Sequence, residues 1–442
     1  MNYEFTYTSL EDVEEKLREL SCRLPLSADC GILGTQARFG PVYLKNRLCV
    51  ASMEGVDSLP DGSPSELTRR RYLELARGGA GLIWFEAVSV VQEGRSSLKQ
   101  LYLCRETLPA FQKLVAEVKE AGQKANGFEP YLVMQANHSG RYSRPNEKAE
   151  PEPIIAYHRP EHEAITPVDD SRIASDDYLE RLEEIFGEAA GLCKAAGFDA
   201  MDVKSCHGYL FDEFASAYTR EGRYGGSFEN RFRLLLNSVK NAKQMEDSSF
   251  TIVCRLGIYD GFPYPHGFGM KTDGSLTPDY EEPIKLVGIL HEQLGMPFIN
   301  LTMGDPHKNF HVTRPYDRDK LATPPEHPFV SLSRMYEGYG EIKKAYPSLG
   351  VAASAPSYMR QFAPNLAAGA ILEGICDAVC FGRLSFANRS FANEIIKTGT
   401  LEKNHTCLTC GKCSEMIRAG VPTGCLIRNS GIYLESYQII PK

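Results

Sequence analysis

Short apolar segments alternate with long helical segments along most of the chain, and this alternation limits the fold more than any other feature. Segments rich in β-branched and small apolar residues predict eight buried strands, at residues 48–53, 80–85, 131–135, 200–204, 251–256, 298–301, 350–353 and 378–381. Stretches long enough for crossover helices lie between them, for example at 66–77, 109–121, 176–196, 230–244, 282–294 and 329–345. Eight repeats of strand and helix predict an α/β fold, the closed (β/α)8 TIM barrel.

A doubly wound open sheet is the competing architecture. No G-x-G-x-x-G turn follows any early strand, so the sequence favours the barrel. Two stretches rich in proline, at 145–167 and 261–278, are expected to be long loops after the third and fifth strands. We therefore predict an N-terminal helical extension at 1–35, a barrel at 36–395 and a small C-terminal appendage at 396–442.

Composition and charge exclude several classes of protein. The chain has 442 residues, of which 43% are hydrophobic and 24% charged, as expected for a protein with a large core. A net charge of -8 and the lack of a sustained Lys/Arg run argue against nucleic acid or an anionic membrane as a partner. Neither a signal-like leader nor a run of about eighteen apolar residues occurs, which predicts a cytoplasmic protein.

Four of the thirteen cysteines form a C-x2-C-x2-C-x11-C pattern, at Cys407, Cys410, Cys413 and Cys425. Zinc ribbons usually pair two C-x2-C units across a longer gap, whereas three closely spaced cysteines and one distant cysteine suit a 4Fe-4S cluster. Structural zinc and unligated thiols are the alternatives. The other nine cysteines are scattered singly and are expected to be mostly core residues.

The predicted strands end in polar residues. In a barrel these ends converge on one face, where active sites form. Strand three leads into 135–141, strand four into 202–209, and strand five ends at Arg255. The turns after strands seven and eight, at 353–355 and 382–383, contain small residues and suit a phosphate group, to which Arg383 could add positive charge.

These motifs also resemble a known family. The matching stretches run in chain order at 45–47, 53, 86–87, 135, 138–141, 207–210, 224–231 and 382–383. They resemble the Old Yellow Enzyme family of FMN oxidoreductases, over roughly residues 36–430. Together with the cysteine pattern, the chain is most similar to the iron-sulfur branch that includes 2,4-dienoyl-CoA reductase and trimethylamine dehydrogenase. Those relatives carry further C-terminal nucleotide-binding domains, which we do not expect here because the sequence ends about seventeen residues after Cys425.

The resemblance implies FMN at the barrel mouth and the residues that would bind it. Gln135 would hydrogen-bond the pyrimidine edge of the flavin, and Arg255 would stabilise negative charge near N1 and O2. A satisfied core amide and an interior ion pair are the alternatives for these two residues. Ser52 stands where the family usually has proline, which leaves the local geometry open. The full implied set is Ala51, Ser52, Met53, Ala87, Gln135, Arg255, Ala353, Ser354, Ala355, Gly382 and Arg383.

The resemblance also implies that Tyr209 is a proton donor, because a phenol stays protonated at neutral pH and can protonate the α-carbon of an alkene. Simple packing is its alternative. Many relatives hold the substrate carbonyl with a His-x-x-His or His-x-x-Asn pair, but here the pair is Lys204 and His207. A lysine cation favours an enolate-like or carboxylate oxygen. The alternative role of Lys204 is a salt bridge with Asp202 on the same strand face.

Three further features of the sequence also have expected roles. His307 lies just past strand six, about where dienoyl-CoA reductases have an active-site histidine, and His311 is the alternative. His138 is expected to order the loop after strand three. The stretch 224–231 is a family signature that we expect to organise a loop and a helix start.

The residues together indicate an ene-reductase that uses FMN and a 4Fe-4S cluster to reduce the double bond of an enone, enoyl thioester or enoate. An amine dehydrogenase or demethylase that passes electrons out through the cluster is one alternative, and a flavin electron-transfer subunit without its own substrate is another. The electron source is expected to be a separate protein, ferredoxin or a flavoprotein, with NAD(P)H as the competing donor. Association into a homo-oligomer is left open.

Overall fold

An eight-stranded closed barrel forms the centre of the computed structural model, which describes residues 3–164, 166–317 and 323–440. The strands are β1 (Ala37–Phe39), β2 (Val42–Leu44), β3 (Leu48–Val50), β4 (Leu82–Ser89), β5 (Tyr131–Asn137), β6 (Ala200–Val203), β7 (Thr251–Gly257), β8 (Phe298–Thr302), β9 (Gly350–Ala353) and β10 (Ala378–Phe381). Strands β3 to β10 pair in chain order, all in parallel, and β10 closes against β3. The predicted barrel is confirmed, and the open sheet is excluded.

Helices surround this barrel. They are α1 (Leu10–Glu19), α2 (Glu66–Arg77), α3 (Leu108–Asn126), α4 (Pro160–Glu163), α5 (Asp176–Ala195), α6 (Leu210–Ala215), α7 (Phe228–Arg231), α8 (Arg233–Lys243), α9 (Glu281–Gly288), α10 (Phe310–Thr313), α11 (Pro328–Ala345), α12 (Ala363–Leu372), α13 (Arg383–Ala387), α14 (Phe391–Thr398), α15 (Lys412–Arg418) and α16 (Ser430–Gln438). The helix predicted at 230–244 is interrupted at Phe232, whose ψ of 3° separates α7 from α8. The single helix predicted there is therefore two helices. In the next crossover, α9 continues into a π-helical turn at Ile289–Gln293.

The N-terminal end of the barrel is closed by apolar packing. The hairpin of β1 and β2, which sequence analysis did not predict, contributes Val42 and Leu44 to an apolar cluster inside the barrel. Phe39 stacks on Phe298 with ring centroids 5.3 Å apart. A Cβ at Gly350 would lie 2.4 Å from the Phe39 ring, so the hairpin leaves no space for a larger residue there. The opposite end of the barrel is the one available for a site.

The predicted insertions occupy the loops after β5 and β7, apart from residue 165, which lies outside the described residues. At the N-terminus, the backbone N–H of Phe5 donates to Asp317. In the C-terminal segment, Met416, Val421 and Tyr433 belong to a small apolar cluster of their own. The domain division at residues 35 and 395 stays a prediction. Across the described ranges, no helix has the length and apolarity to cross a membrane.

Candidate active site

A cavity that is partly open to solvent lies over the C-terminal ends of the barrel strands. It gathers residues that lie in or directly after all eight barrel strands, as the barrel prediction requires. The predicted site residues that line it are Ala51, Ser52, Met53, Ala87, Gln135, Lys204, His207, Tyr209, Arg255, His307, Ser354, Ala355, Gly382 and Arg383. Ala353 is buried at the end of β9 and is not among the lining residues.

Asp202 organises the floor of the cavity. Its carboxylate accepts hydrogen bonds from Trp84 Nε1 at 2.8 Å, Gln135 Nε2 at 2.7 Å and the backbone N–H of Arg255 at 2.6 Å. Burial raises the pKa of Asp202 to about 6 despite these donors. Among the described contacts no salt bridge joins Asp202 to Lys204, so the alternative role considered for Lys204 is not realised.

Gln135 and Arg255 keep hydrogen-bonding capacity that faces the cavity. Gln135 Oε1 accepts from Ser52 Oγ at 2.9 Å, and its amide still has one N–H and one lone pair to offer. Arg255 Nη1 lies 3.4 Å from the carbonyl oxygen of Ser52, and the buried Arg255 Nε has no hydrogen-bond partner. A buried guanidinium with an unused donor suits an anionic, acceptor-rich ring edge such as that of a reduced flavin.

The turns after β9 and β10 form the opposite end of the cavity. Ala355 has a φ of 67°, a left-handed conformation that turns the chain directly after Ser354. A Cβ on Gly382 would lie 3.1 Å from Met53 Sδ, a contact tighter than normal packing. Arg383 donates from Nη2 to the carbonyl oxygen of Pro315 at 2.8 Å, while its buried Nη1 has no partner. These features fit the phosphate group of FMN.

Tyr209 is enclosed by Lys204, Tyr142 and His307. Lys204 Nζ lies 3.6 Å from the centroid of the Tyr209 ring, a cation–π contact. Tyr142 and His307 meet the same ring edge-on, each at 5.8 Å between centroids. Burial raises the pKa of Tyr209 well above its usual value and lowers that of Lys204 to about 8. Tyr209 is therefore a protonated phenol at neutral pH.

Asp305 fixes the loop that carries His307. It accepts hydrogen bonds from Tyr142 Oη at 2.8 Å, from the backbone N–H of His307 at 2.7 Å and from His162 Nε2 at 2.9 Å. Burial alone would raise the pKa of Asp305, but the His162 hydrogen bond and the nearby His307 lower it to about 2. Burial lowers the pKa of His307 to about 4, so its imidazole is neutral at pH 7.

His207 and the other histidines have distinct surroundings. His207 Nε2 lies 3.2 Å from Thr302 Oγ1, and burial lowers the pKa of His207 well below its usual value. His138 hydrogen-bonds Tyr178 and the backbone N–H of Gly140, as expected for a residue that orders the loop. His311 does not line the cavity.

The family signature at 224–231 organises structure and contributes no side chain to the cavity lining. Tyr224 donates to Glu183, and Ser227 caps α7. Both contacts agree with the expected structural role.

Several lining residues were missed by sequence analysis. Glu54 directly follows Met53 at the first strand end, so reading one residue further would have found it. Thr313 and Arg314 come from α10 and the residue after it, and Ser414, Ile417 and Arg418 come from α15 in the cysteine segment. No sequence signal indicated that this distant segment reaches the barrel mouth.

The four predicted cysteine ligands line one smaller cavity together with Arg383, Lys412 and Arg428. Cys407 is buried and Cys410 is exposed, and the backbone N–H of Thr409 donates to the Cys407 sulfur at 3.3 Å. Burial raises the pKa of the Cys407 thiol to about 12. Over the ranges described, no three His, Cys, Asp or Glu side chains form a metal-binding arrangement. The four thiols match the donor set of an iron-sulfur cluster, and they lie close enough to influence one another's ionisation.

Residues 37–269 match the sequence profile of the NADH:flavin oxidoreductase / NADH oxidase family. The chain belongs to this family. The matched span holds Gln135, Lys204, Tyr209 and Arg255, all of which line the cavity.

Known relatives agree with this membership. An NADPH dehydrogenase of Listeria welshimeri is 32% identical over 244 residues, 53% of this chain and 65% of the relative. A Thermoanaerobacter brockii NADH oxidase is 24% identical over 421 residues, 92% of this chain and 58% of the relative. The chain thus spans less than two thirds of each. A solved complex of 2-naphthoyl-CoA reductase has the same fold, with a TM-score of 0.73 and 21% identity over 93% of this chain and 58% of that one.

Proposed function

We propose that this protein binds FMN at the barrel mouth and reduces the carbon-carbon double bond of an activated alkene, such as an enone, an enoyl thioester or an enoate. The observation that supports this most strongly is the occurrence of Tyr209 and Arg255 in one cavity, with an unused donor on buried Arg255. Family membership also supports FMN as the cofactor and a reduced nicotinamide as an electron donor.

The chain's own residues have separate tasks in this reaction. FMN, when bound, supplies the hydride. Gln135, Arg255 and Arg383 would hold the cofactor through its ring edge and phosphate. Tyr209 would give its hydroxyl proton to the α-carbon of the substrate. Lys204, His207 and His307 line the space around the tyrosine, where Lys204 would attract the substrate oxygen.

We further propose that the cysteine segment holds a 4Fe-4S cluster and that electrons reach the flavin through it from a separate protein, a ferredoxin or a flavoprotein. Cys410 is exposed, which would leave one edge of the cluster accessible to a donor. Helix α15 carries Cys413 and also contributes Ser414 to the lining of the main cavity, so the two sites adjoin. Direct reduction by NAD(P)H is the competing route.

Anaerobic purification followed by cofactor and turnover measurements tests the proposal. We expect about one FMN and about four iron atoms per chain, with acid-labile sulfide. Turnover should be found in a panel of enones, enoyl-CoA thioesters and enoates with a strong reductant, and not in a matched panel of amines with an electron acceptor. Zinc without sulfide would remove the cluster from the proposal, and amine oxidation without alkene reduction would reverse the direction of the reaction.

A further inference from the structure

Glu54 is a carboxylate in the substrate half of the cavity to which the reaction above gives no task. It directly follows Met53, and its side chain lines the cavity together with Lys204 and Tyr209. Its Oε1 is buried and has no hydrogen-bond partner, and the carboxylate lies close enough to the Tyr209 side chain to raise the pKa of the phenol. A buried carboxylate oxygen without a donor is costly unless it carries a proton or serves a reaction.

The other neighbours of Tyr209 have contacts of their own. Lys204 Nζ is centred over the ring face. Tyr142 donates its own hydroxyl to Asp305, and His307 stacks on Tyr142 at 3.9 Å between centroids. Tyr209 is only 7% exposed, so bulk water has little access to it. Of the two carboxyl groups that act on the Tyr209 phenol, Asp305 is held by three hydrogen-bond donors, which leaves Glu54 as the carboxyl that can carry a proton.

We propose that Glu54 resupplies the proton that Tyr209 gives to the substrate. The inference rests on the proposed role of Tyr209. When the α-carbon of the alkene takes the proton, the Tyr209 O–H bond breaks and a phenolate remains. Glu54 then gives its carboxyl proton to the phenolate oxygen, and the resulting carboxylate regains a proton from solvent through the open cavity. No oxidation or reduction occurs in this transfer.

The charges around Glu54 are consistent with a protonated carboxyl. Burial raises the pKa of Glu54, whereas Lys204 and the Tyr209 hydrogen bond lower it in part. Glu86 lies behind it, and its negative charge and that of Glu54 disfavour each other. Within the described residues no ion pair joins Glu54 to Lys204. Glu54 is therefore a positioning and relay residue that acts through Tyr209.

The first test is a double-mutant cycle in the alkene half-reaction. Chemically reduced holoenzyme is mixed with cyclohexenone over a range of pH, for wild type, Glu54→Gln, Tyr209→Phe and the double variant. The wild-type rate should fall as the pH rises, because Glu54 loses its proton. The inflection of this pH profile should lie above the ordinary pKa of a glutamate. Glu54→Gln should be about 10- to 10²-fold slower and lack this inflection. The double variant should be no slower than Tyr209→Phe.

Two further variants serve as controls, and two results would contradict the relay. Glu129→Gln, an exposed residue, should keep the wild-type profile. Glu54→Asp retains a carboxyl and should recover part of the inflection. An unchanged inflection in Glu54→Gln, or a double variant whose loss equals the product of the single losses, would overturn the relay.

A second test needs no substrate and separates this inference from the proposed function. Protein containing fluorotyrosine is titrated by near-ultraviolet absorbance, and the Tyr209 signal is the difference between each protein and its Tyr209→Phe counterpart. Glu54→Gln should lower the pH at which Tyr209 ionises, since it removes a neighbouring negative charge. Unchanged ionisation would refute the contact. A wild-type enzyme that leaves cyclohexenone and the alkene panel unreduced would instead refute the proposed function.

Discussion

The cavity at the barrel mouth and the cavity lined by cysteines differ in how far the folded chain prepares them. In the first, Asp202 and Asp305 hold their neighbours through several hydrogen bonds each, and the strand ends fix the spacing. In the second, four thiols share one cavity, where backbone N–H groups of the same segment reach two sulfurs, from Thr409 to Cys407 and from Ile427 and Arg428 to Cys425. At the barrel mouth the folded chain thus fixes side chains through contacts between segments far apart in the sequence, whereas these cysteines are held by contacts within one short segment.

Replacing one cysteine of the pattern is expected to have the largest effect, and it tests most clearly whether the two cavities are separate sites. Cys413→Ser should lose essentially all iron and sulfide, because the remaining three thiols form an incomplete set. FMN content should be unchanged, since no cysteine of the pattern lines the main cavity. Iron, sulfide and released flavin are measured on the same sample. Cys22→Ser, at a half-buried position outside the pattern, is the control, and loss of FMN together with iron would mean that the two sites are not separable.

The chemistry of the main cavity should depend on one phenol. Tyr209→Phe should slow the alkene half-reaction about 10²- to 10⁴-fold, the usual contribution of a positioned acid. Reduction of the flavin should be nearly unaffected, which rapid mixing can follow separately. Tyr264→Phe, at an exposed position, is the control. Equal losses in both half-reactions would assign Tyr209 a structural role.

Substitution of Arg255 tests whether its unpaired Nε–H donor contributes to FMN binding. Arg255→Met should raise the dissociation constant for FMN about 10- to 10²-fold, because a charge-assisted hydrogen bond is lost. Fluorescence quenching during reconstitution of the apoprotein measures this constant. Arg38→Met, an exposed arginine on β1, should bind FMN as the wild type does. If Arg255→Met bound FMN as tightly as the wild type does, Arg255 would have no part in FMN binding.

The smallest expected effect concerns Lys204 and pH. Because the pKa of Lys204 is lowered to about 8 by burial, its cation is present below that pH and is lost above it. The wild-type KM for cyclohexenone should therefore rise about 10-fold as pH increases through 8. Lys204→Met should show the higher KM at every pH. If the KM of Lys204→Met still depended on pH, the dependence would be due to another titratable group.

Much of the barrel was predictable because eight apolar runs at regular spacing leave few architectures. Site residues at strand ends followed from that prediction, as Gln135, Tyr209 and Arg255 illustrate. The β1–β2 hairpin and the contribution of α15 were not predictable, since both depend on packing between segments far apart in the sequence. The same limit applies to Tyr142 and His162, which reach Asp305 from distant loops.

An anaerobic reductive titration tests most directly the claim that one chain holds two redox sites of different kinds. Dithionite is added stepwise to the purified protein while the flavin and iron-sulfur absorbance are recorded. The account predicts that wild type takes up about three electrons per chain, two for FMN and one for the cluster, and that Cys413→Ser takes up about two. Uptake of about two electrons by both proteins, with identical spectra, would contradict it.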